Sequence, residues 1–275
     1  MLLDEKNGAE WDLSPCEQDH QTYFIATTPR TGSTLLCQAL WQTGDVGAPK
    51  EYLNPMQLRD WEVRLGNRGS QMVHRHLQGP LLSLVGRGWT AAKIRRHLFR
   101  VRTRRTCGGW FGLKIHAHHF KRWNARLDMK QHFGSIQWIH LYRTDRVAQA
   151  VSWARALQTG VWVHSQQKQR TPRYNRHLIA WCLSAIDRGE RFWKDWFESH
   201  HIQPLQLQYH QLTEDLLATT RAVTQFLNIP RVTHTGRPIP ILKRQSDAIN
   251  TDWIARFIQD AKHTTVSTST KSTAQ

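Results

Sequence analysis

The chain has 275 residues, of which 39% are hydrophobic, enough to bury a substantial core in one large domain or at most two. Its 38 lysines and arginines outnumber 21 acidic residues for a formal charge of +17, which attracts polyanions without choosing among nucleic acid, a membrane surface and a multiply charged nucleotide. No run of about 18 apolar residues is present to span a membrane, and Cys16, Cys37, Cys107 and Cys182 form no CxxC pair, which argues against a zinc site or a dense disulfide framework.

The polar start, Met1 to His20, carries acidic residues and does not read as a secretory signal, so a soluble cytoplasmic protein with reduced thiols is expected. Residues 21–262 read as a single domain, and the Ser- and Thr-dominated end, 263–275, as a disordered tail.

Taken in order, Tyr23 to Thr27 is a short β-prone run that ends at Thr28-Pro29, and Ser33 to Trp41 follows with helical composition. Gly44 to Pro55 reads as an irregular loop returning over the same edge, while Trp61 to Gly88 suggests no element. Thr90 to Arg104 is a basic helix with Ile94, Leu98 and Val101 on one side. Trp110 to Ile115 predicts a second strand, His119 to Gln131 a helix, and Ile136 to Tyr142 a third strand. Asp145 is placed to cap a helix reaching about Gln158. Tyr174 to Ser199 is another long helix, Leu205 to Tyr209 a fourth strand, and Thr213 to Leu227 a helix. This alternation predicts an α/β fold of P-loop type: a mostly parallel sheet with helices on both faces and ligands at the carboxyl ends of the strands.

Between the first strand and the first helix lies Thr28-Pro29-Arg30-Thr31-Gly32-Ser33-Thr34. Backbone N–H groups at such a turn form an anion site. Gly32 allows close backbone approach, Arg30 brings a fixed cation, and Ser33 and Thr34 bring hydroxyl donors. The pattern GxxxxGK[ST] is absent, which disfavours a magnesium-dependent kinase. Arg143, at the end of the third strand, and Ser152, on the helix after it, can converge on a second phosphate. Asp145 and Asp187 are alternative partners for Arg143.

Pro29 to Thr34 resembles the phosphosulfate-binding loop of sulfotransferases. Gly47 to Pro55, Tyr142 to Ser152 with its continuation to Trp162, and Lys243 to Asn250 with Trp253 extend the resemblance to the bacterial carbohydrate sulfotransferase family typified by trehalose 2-sulfotransferase. Tyr209-His210-Gln211-Leu212 departs from the wider superfamily, where an acidic residue commonly follows the tyrosine. The resemblance implies 3'-phosphoadenosine 5'-phosphosulfate as donor, bound by Pro29, Arg30, Thr31, Gly32, Ser33 and Thr34, with its 3'-phosphate at Arg143 and Ser152. It implies a sugar or glycolipid hydroxyl as acceptor and makes a homodimer reasonable.

An acceptor hydroxyl needs a base. The resemblance implies that Glu51 faces that hydroxyl, and Glu51 is the candidate catalytic residue. Its alternative role is an ion pair with Lys50 or an arginine. His116, at the end of the second strand, is the competing base. Lys114 could neutralise donor phosphate charge, Lys243 and Arg244 could close over the nucleotide, and Trp162 and His164 could border the acceptor. Sulfuryl transfer does not require a metal, and none is expected; no nucleic-acid partner is expected either. The competing readings are a basic nucleic-acid-binding protein and a P-loop kinase.

Overall fold

The computed structural model describes residues 1–14, 20–162, 170–229 and 248–272, with side chains as far as Lys262. Strand β1 (Gln21–Thr27) is buried at every position but the first. Helices α1 (Ser33–Thr43), α2 (Pro55–Leu65) and α3 (Arg68–His76), a 3-10 turn at Gly79–Leu84 and α4 (Ala91–Arg105) follow it. The end of α2, helix α3 and the 3-10 turn together occupy most of Trp61 to Gly88, the stretch whose composition suggested no element. Helices α2 and α3 are each started by an asparagine cap: the Asn54 side chain accepts from Met56 N–H at 3.0 Å and that of Asn67 from Ser70 N–H at 2.8 Å.

Strand β2 (Trp110–His116) leads into α5 (Ala117–Asn124) and α6 (Met129–Phe133), where one helix was expected from His119 to Gln131. The break has a local cause. Asn124 accepts from Met129 N–H at 3.2 Å and Asp128 from Gln131 N–H at 3.0 Å, so side chains replace the helical bonds that would have carried the helix through. Strand β3 (Ile136–Tyr142) has the expected bounds, and α7 (Arg146–Thr159) is capped by Asp145 as expected, through Ala148 N–H at 2.9 Å. Then come α8 (Arg176–Ser199), β4 (Leu205–Gln208), α9 (Tyr209–Glu214), α10 (Leu216–Phe226) and α11 (Ala248–Ser272). Tyr209 opens a helix instead of closing the strand. The helix expected over Thr213 to Leu227 is divided at Asp215, whose carboxylate caps α10 by accepting from Ala218 N–H at 2.8 Å. The backbone of α11 runs on into the Ser- and Thr-rich end of the chain.

The four strands are all parallel, in the order β2-β1-β3-β4. Phe24 stands opposite Leu113 and Trp138, and the period of two sends Phe24, Ala26, Phe111, Leu113, Ile115 and Trp138 to one face. There they pack on Ile94, Leu98 and Val101 of α4, Phe120 and Trp123 of α5, and Trp193 and Phe197 of α8. Tyr23, Ile25, Ile139, Leu141 and Leu207 form the other face with Leu36 and Leu40 of α1 and Val223 of α10. The expected helix-covered parallel sheet is therefore what the chain builds. From β1 the chain reaches β2 on one side and later β3 on the other, so the strand order reverses beside β1, at the carboxyl edge shared by Thr27, His116 and Tyr142. Among the described residues no helix is long and apolar enough to cross a membrane.

Candidate active site

The turn from β1 to α1 is built of residues that only a fixed loop would hold. Gly32 has φ 79° and Arg30 φ 69°, both left-handed. At Gly32 a Cβ would come within 3.0 Å of Leu212 Cδ2 and 3.1 Å of Tyr209 Cδ2, so packing as well as φ demands glycine. Arg30 has a Cβ and takes this backbone at a cost of about 1 kcal/mol. Its side chain is tied twice: Nε donates to Ser152 Oγ at 3.0 Å and Nη1 to the Trp162 carbonyl at 2.6 Å.

The loop is bonded from beneath. Gln149 Nε2 donates to the Pro29 carbonyl at 2.7 Å and to Thr28 Oγ1 at 2.9 Å, and Thr28 Oγ1 donates to Glu190 Oε1 at 2.7 Å. The Thr27 and Thr31 hydroxyls lie 2.5 Å apart, and the Trp193 indole N–H donates to the Thr27 carbonyl at 2.9 Å. Helix α1 starts at this loop, so its first N–H groups, which no helix can satisfy internally, open onto it.

Three arginines gather over the loop. Burial pulls the Arg30 guanidinium down to about 10, Tyr209 opposes that, and the charges of Arg143 and Arg155 add to it. Arg143 lies 4.4 Å over the Tyr209 ring, while its contact with the well-exposed Asp145 is long, at 3.9 Å. Asp187 is engaged elsewhere, accepting from Arg146 Nη1 at 2.8 Å. Ser152, which the sequence placed with Arg143 at a second phosphate, accepts from Arg30 and so sits beside the same group of guanidiniums. Arg155 Nη1 donates to Asn250 Oδ1 at 2.6 Å and so ties the start of α11 to α7. An anion at this point would relieve the mutual repulsion of three guanidinium groups, and in that sense the residues present fit a phosphorylated ligand. Lys243, Arg244 and His164 lie outside the described residues, as does Cys16.

Beside the loop is a second cluster. Lys114 and His116 project from the same face of β2, two residues apart, toward α1. Lys114 Nζ donates to Thr34 Oγ1 at 3.0 Å and to Glu51 Oε1 at 2.6 Å, and His116 Nε2 is 3.1 Å from the same Glu51 oxygen. Asn54 Nδ2 donates to Glu51 Oε2 at 2.6 Å. Burial would raise the Glu51 carboxyl, but Lys114, then His116 and its hydrogen bond, and His119 outweigh it and hold the group well below the usual carboxylate range. Burial pulls Lys114 down while Glu51 more than offsets this, so that ammonium titrates above its ordinary value. Lys50 is not the partner of Glu51: its Nζ donates to Asp4 Oδ2 at 2.8 Å and Asn7 Oδ1 at 2.9 Å.

The Glu51 loop is held to the sheet by its backbone. Lys114 N–H donates to the Lys50 carbonyl at 3.0 Å. His97 Nε2 is 2.8 Å from the Tyr52 carbonyl, and the Trp123 indole N–H donates to the Leu53 carbonyl at 2.8 Å. The rings of His118 and His119 stand 5.8 and 5.9 Å from that of His116. Among the described residues, no three His, Cys, Asp or Glu side chains gather as a metal site.

Sequence reasoning singled out Pro29 to Thr34, Glu51, Arg143 and Ser152, and the structure brings the loop, Arg143 and Ser152 to the carboxyl edge of β1 and β3 and Glu51 to the adjoining end of β2. It passed over Gln149 and Glu190, which carry the underside of the loop, Asn54, which holds the second Glu51 oxygen, and Tyr209, which supports Arg143. Asn54 and Gln149 lie within segments that carry the resemblance and Tyr209 within the departure at Tyr209 to Leu212, whereas Glu190 left no signal.

Cations drawn together above a strand-to-helix loop, with a tightly held carboxylate one lysine away, suit an enzyme that moves a group from an anionic donor and handles a proton nearby. The family described as Stf0 sulphotransferase matches residues 22–260, and the chain belongs to that family: it is a sulfotransferase. It is 29% identical to a trehalose 2-sulfotransferase of Mycolicibacterium smegmatis, over 89% of this chain and 97% of that protein. It is 27% identical to a trehalose 2-sulfotransferase of Mycobacterium tuberculosis, over 87% and 95%. Among solved structures, the sulfotransferase domain of the Synechococcus PCC 7002 olefin synthase aligns over 90% of this chain and 98% of that one, at 16% identity and a TM-score of 0.47.

Proposed function

We propose that the protein is a cytoplasmic enzyme that moves a sulfuryl group from 3'-phosphoadenosine 5'-phosphosulfate to a hydroxyl of a sugar or glycolipid, with trehalose the first acceptor to test. The observation that carries this is Lys114, whose ammonium joins Thr34 of the phosphate loop, at 3.0 Å, to Glu51, at 2.6 Å. One side chain thus spans the donor-holding and proton-handling parts of the site.

In this reading Pro29, Arg30, Thr31, Gly32, Ser33 and Thr34 hold the 5'-phosphate side of the donor. Arg143 and Ser152 bind its 3'-phosphate, and Lys243 and Arg244 close over the nucleotide. The donor supplies the sulfuryl group. The acceptor oxygen bonds to sulfur as the bond from sulfur to the 5'-phosphate oxygen breaks, and the acceptor proton passes to the protein. Arg30 and Lys114 balance the negative charge that builds on the departing phosphate. Glu51 is the base in the first instance. A homodimer is the assembly expected of it.

A second reading of the base is favoured by a specific feature. Glu51 already accepts from Lys114 and Asn54 and sits against His116, whereas His116 Nδ1 is buried with no hydrogen-bond partner among the described residues. With Nε2–H turned to Glu51, Nδ1 carries the free lone pair, and the carboxylate orients the imidazole as in a nucleophile-activating triad.

Incubation with radiolabelled donor and a panel of trehalose, other sugars and glycolipids tests the function. The expected result is label in one sugar product that survives removal of nucleotide. Label transfer to phenols or sterols but to no sugar would overturn the acceptor class.

A further inference from the structure

The charge of this protein is not spread over it. Between Glu62 and Asp128 the sequence holds fifteen of the 38 lysines and arginines and none of the 21 acidic residues, so nearly all of the +17 excess falls in these 65 residues. The fold keeps this stretch together. The Glu62 carboxylate accepts from Ser70 Oγ of α3 at 2.7 Å and from Arg100 Nη1 of α4 at 3.3 Å, and His74 of α3 feels the charge of Lys93 on α4. The Trp89 ring packs on those of His97 in α4 and Trp123 in α5, and Arg122 donates to the Val85 carbonyl at 3.3 Å.

On the outside of this sector, basic and apolar side chains alternate. Met72, Val73, Leu81, Leu84 and Phe99 are large apolar residues exposed by 63, 58, 50, 43 and 67%. Phe99 shares one face of α4 with the exposed Arg95 and Arg96, and Met72 and Val73 are followed by the exposed Arg75 and His76. Apolar side chains set among arginines, in a stretch that contributes no acidic residue of its own, match the chemistry of an anionic bilayer: the cations meet headgroup phosphates and the apolar groups enter the acyl boundary. A second copy of the chain is a poor occupant, because like charges would face each other. A nucleic acid would use the arginines but would leave the isolated Leu81, Leu84 and Phe99 without a role.

We propose that the sector formed by α3, the 3-10 turn at Gly79–Leu84, α4 and α5 docks on the surface of a membrane rich in anionic phospholipid. Docking does not depend on the catalytic reading. The two are neighbours, however, since His97 and Trp123 of this sector bond the Tyr52 and Leu53 carbonyls next to Glu51.

The test is co-sedimentation of the full chain with vesicles of phosphatidylcholine alone and of equal parts phosphatidylcholine and phosphatidylglycerol, with duplex DNA as a separate arm. Binding is expected to the mixed vesicles only. Arg95→Glu with Arg96→Glu should weaken it more than tenfold, as expected when about 1 kcal/mol is lost per basic residue near the surface. Phe99→Ser with Leu81→Ser should weaken it about tenfold, with the melting temperature unchanged. In a Phe99→Trp variant the emission of the added tryptophan should shift to the blue on the mixed vesicles. No vesicle binding, vesicle binding indifferent to Phe99 and Leu81, DNA binding at least as tight as vesicle binding, or conversion of a dimer to a monomer by Phe99→Ser would each overturn the proposal.

Discussion

The two halves of the site handle charge in opposite ways. Over the loop between β1 and α1, burial pulls Arg30 down to about 10 and the charges of Arg143 and Arg155 add to this. Around Glu51, opposite charges compensate: Lys114 rises and the carboxyl falls. A region with surplus like charge gains by receiving an anion, while a neutralised cluster keeps its own geometry and can manage a proton. Lys114 belongs to both halves.

The comparison is broken most severely by removing the carboxylate charge. Glu51→Gln should lower kcat by about 10²-fold or more and leave donor affinity nearly unchanged, because the amide cannot accept a proton. His116→Asn sharpens the result: a larger loss than for Glu51→Gln assigns the proton to the imidazole. The pH profile gives a second readout. A Glu51 base, held below the usual carboxylate range, keeps activity into acid, and an early loss of activity on acidification would count against it.

Acid should also weaken the Glu51 side through its support. Burial is the main cause that lowers His97 from 6.5 to about 4, against the opposing bond to the Tyr52 carbonyl. The folded protein then binds fewer protons here than the unfolded chain between those values. Stability is full above about 6.5 and is lost as the pH falls toward 4, by about 3 kcal/mol in total. Urea titrations at pH 7 and pH 4.5 should differ less for His97→Gln than for the parent.

On the donor side the expected effects are smaller. Arg143→Ala should weaken nucleotide binding by about 2–3 kcal/mol in calorimetry, the cost of a charge-assisted pair, with acceptor KM little changed. Gly32→Ala should reduce stability by about 1–2 kcal/mol, since it places a side chain at a positive φ against Leu212 and Tyr209. A melting curve measures it.

The loop between β1 and α1 was legible because its signals are local: an apolar β run, Pro29, then Gly32 before a helical segment. The same holds for Asp145 as the cap of α7. The Glu51 cluster was legible only residue by residue. That Lys114 and His116 meet one oxygen of Glu51 depends on Lys50 pairing with β2 across more than sixty residues, and no local pattern carries that register. The bond from Arg30 to Ser152 was not legible for a related reason, since the left-handed turn at Arg30 sends its guanidinium across to α7. The breaks between α5 and α6 and before α10 escaped because capping by Asn124, Asp128 and Asp215 overrode an acceptable helical composition.

The account stands most directly on the assertion that the arginines above the loop receive a nucleotide with a 3'-phosphate. Isothermal calorimetry of adenosine 3',5'-bisphosphate, adenosine 5'-monophosphate and ATP against the parent and Arg143→Ala measures this. The account predicts that the bisphosphate binds parent protein at least tenfold tighter than either of the others, an advantage of about 1.4 kcal/mol or more, and that Arg143→Ala removes it. Equal affinities for all three ligands, or a preference that survives the substitution, would contradict it.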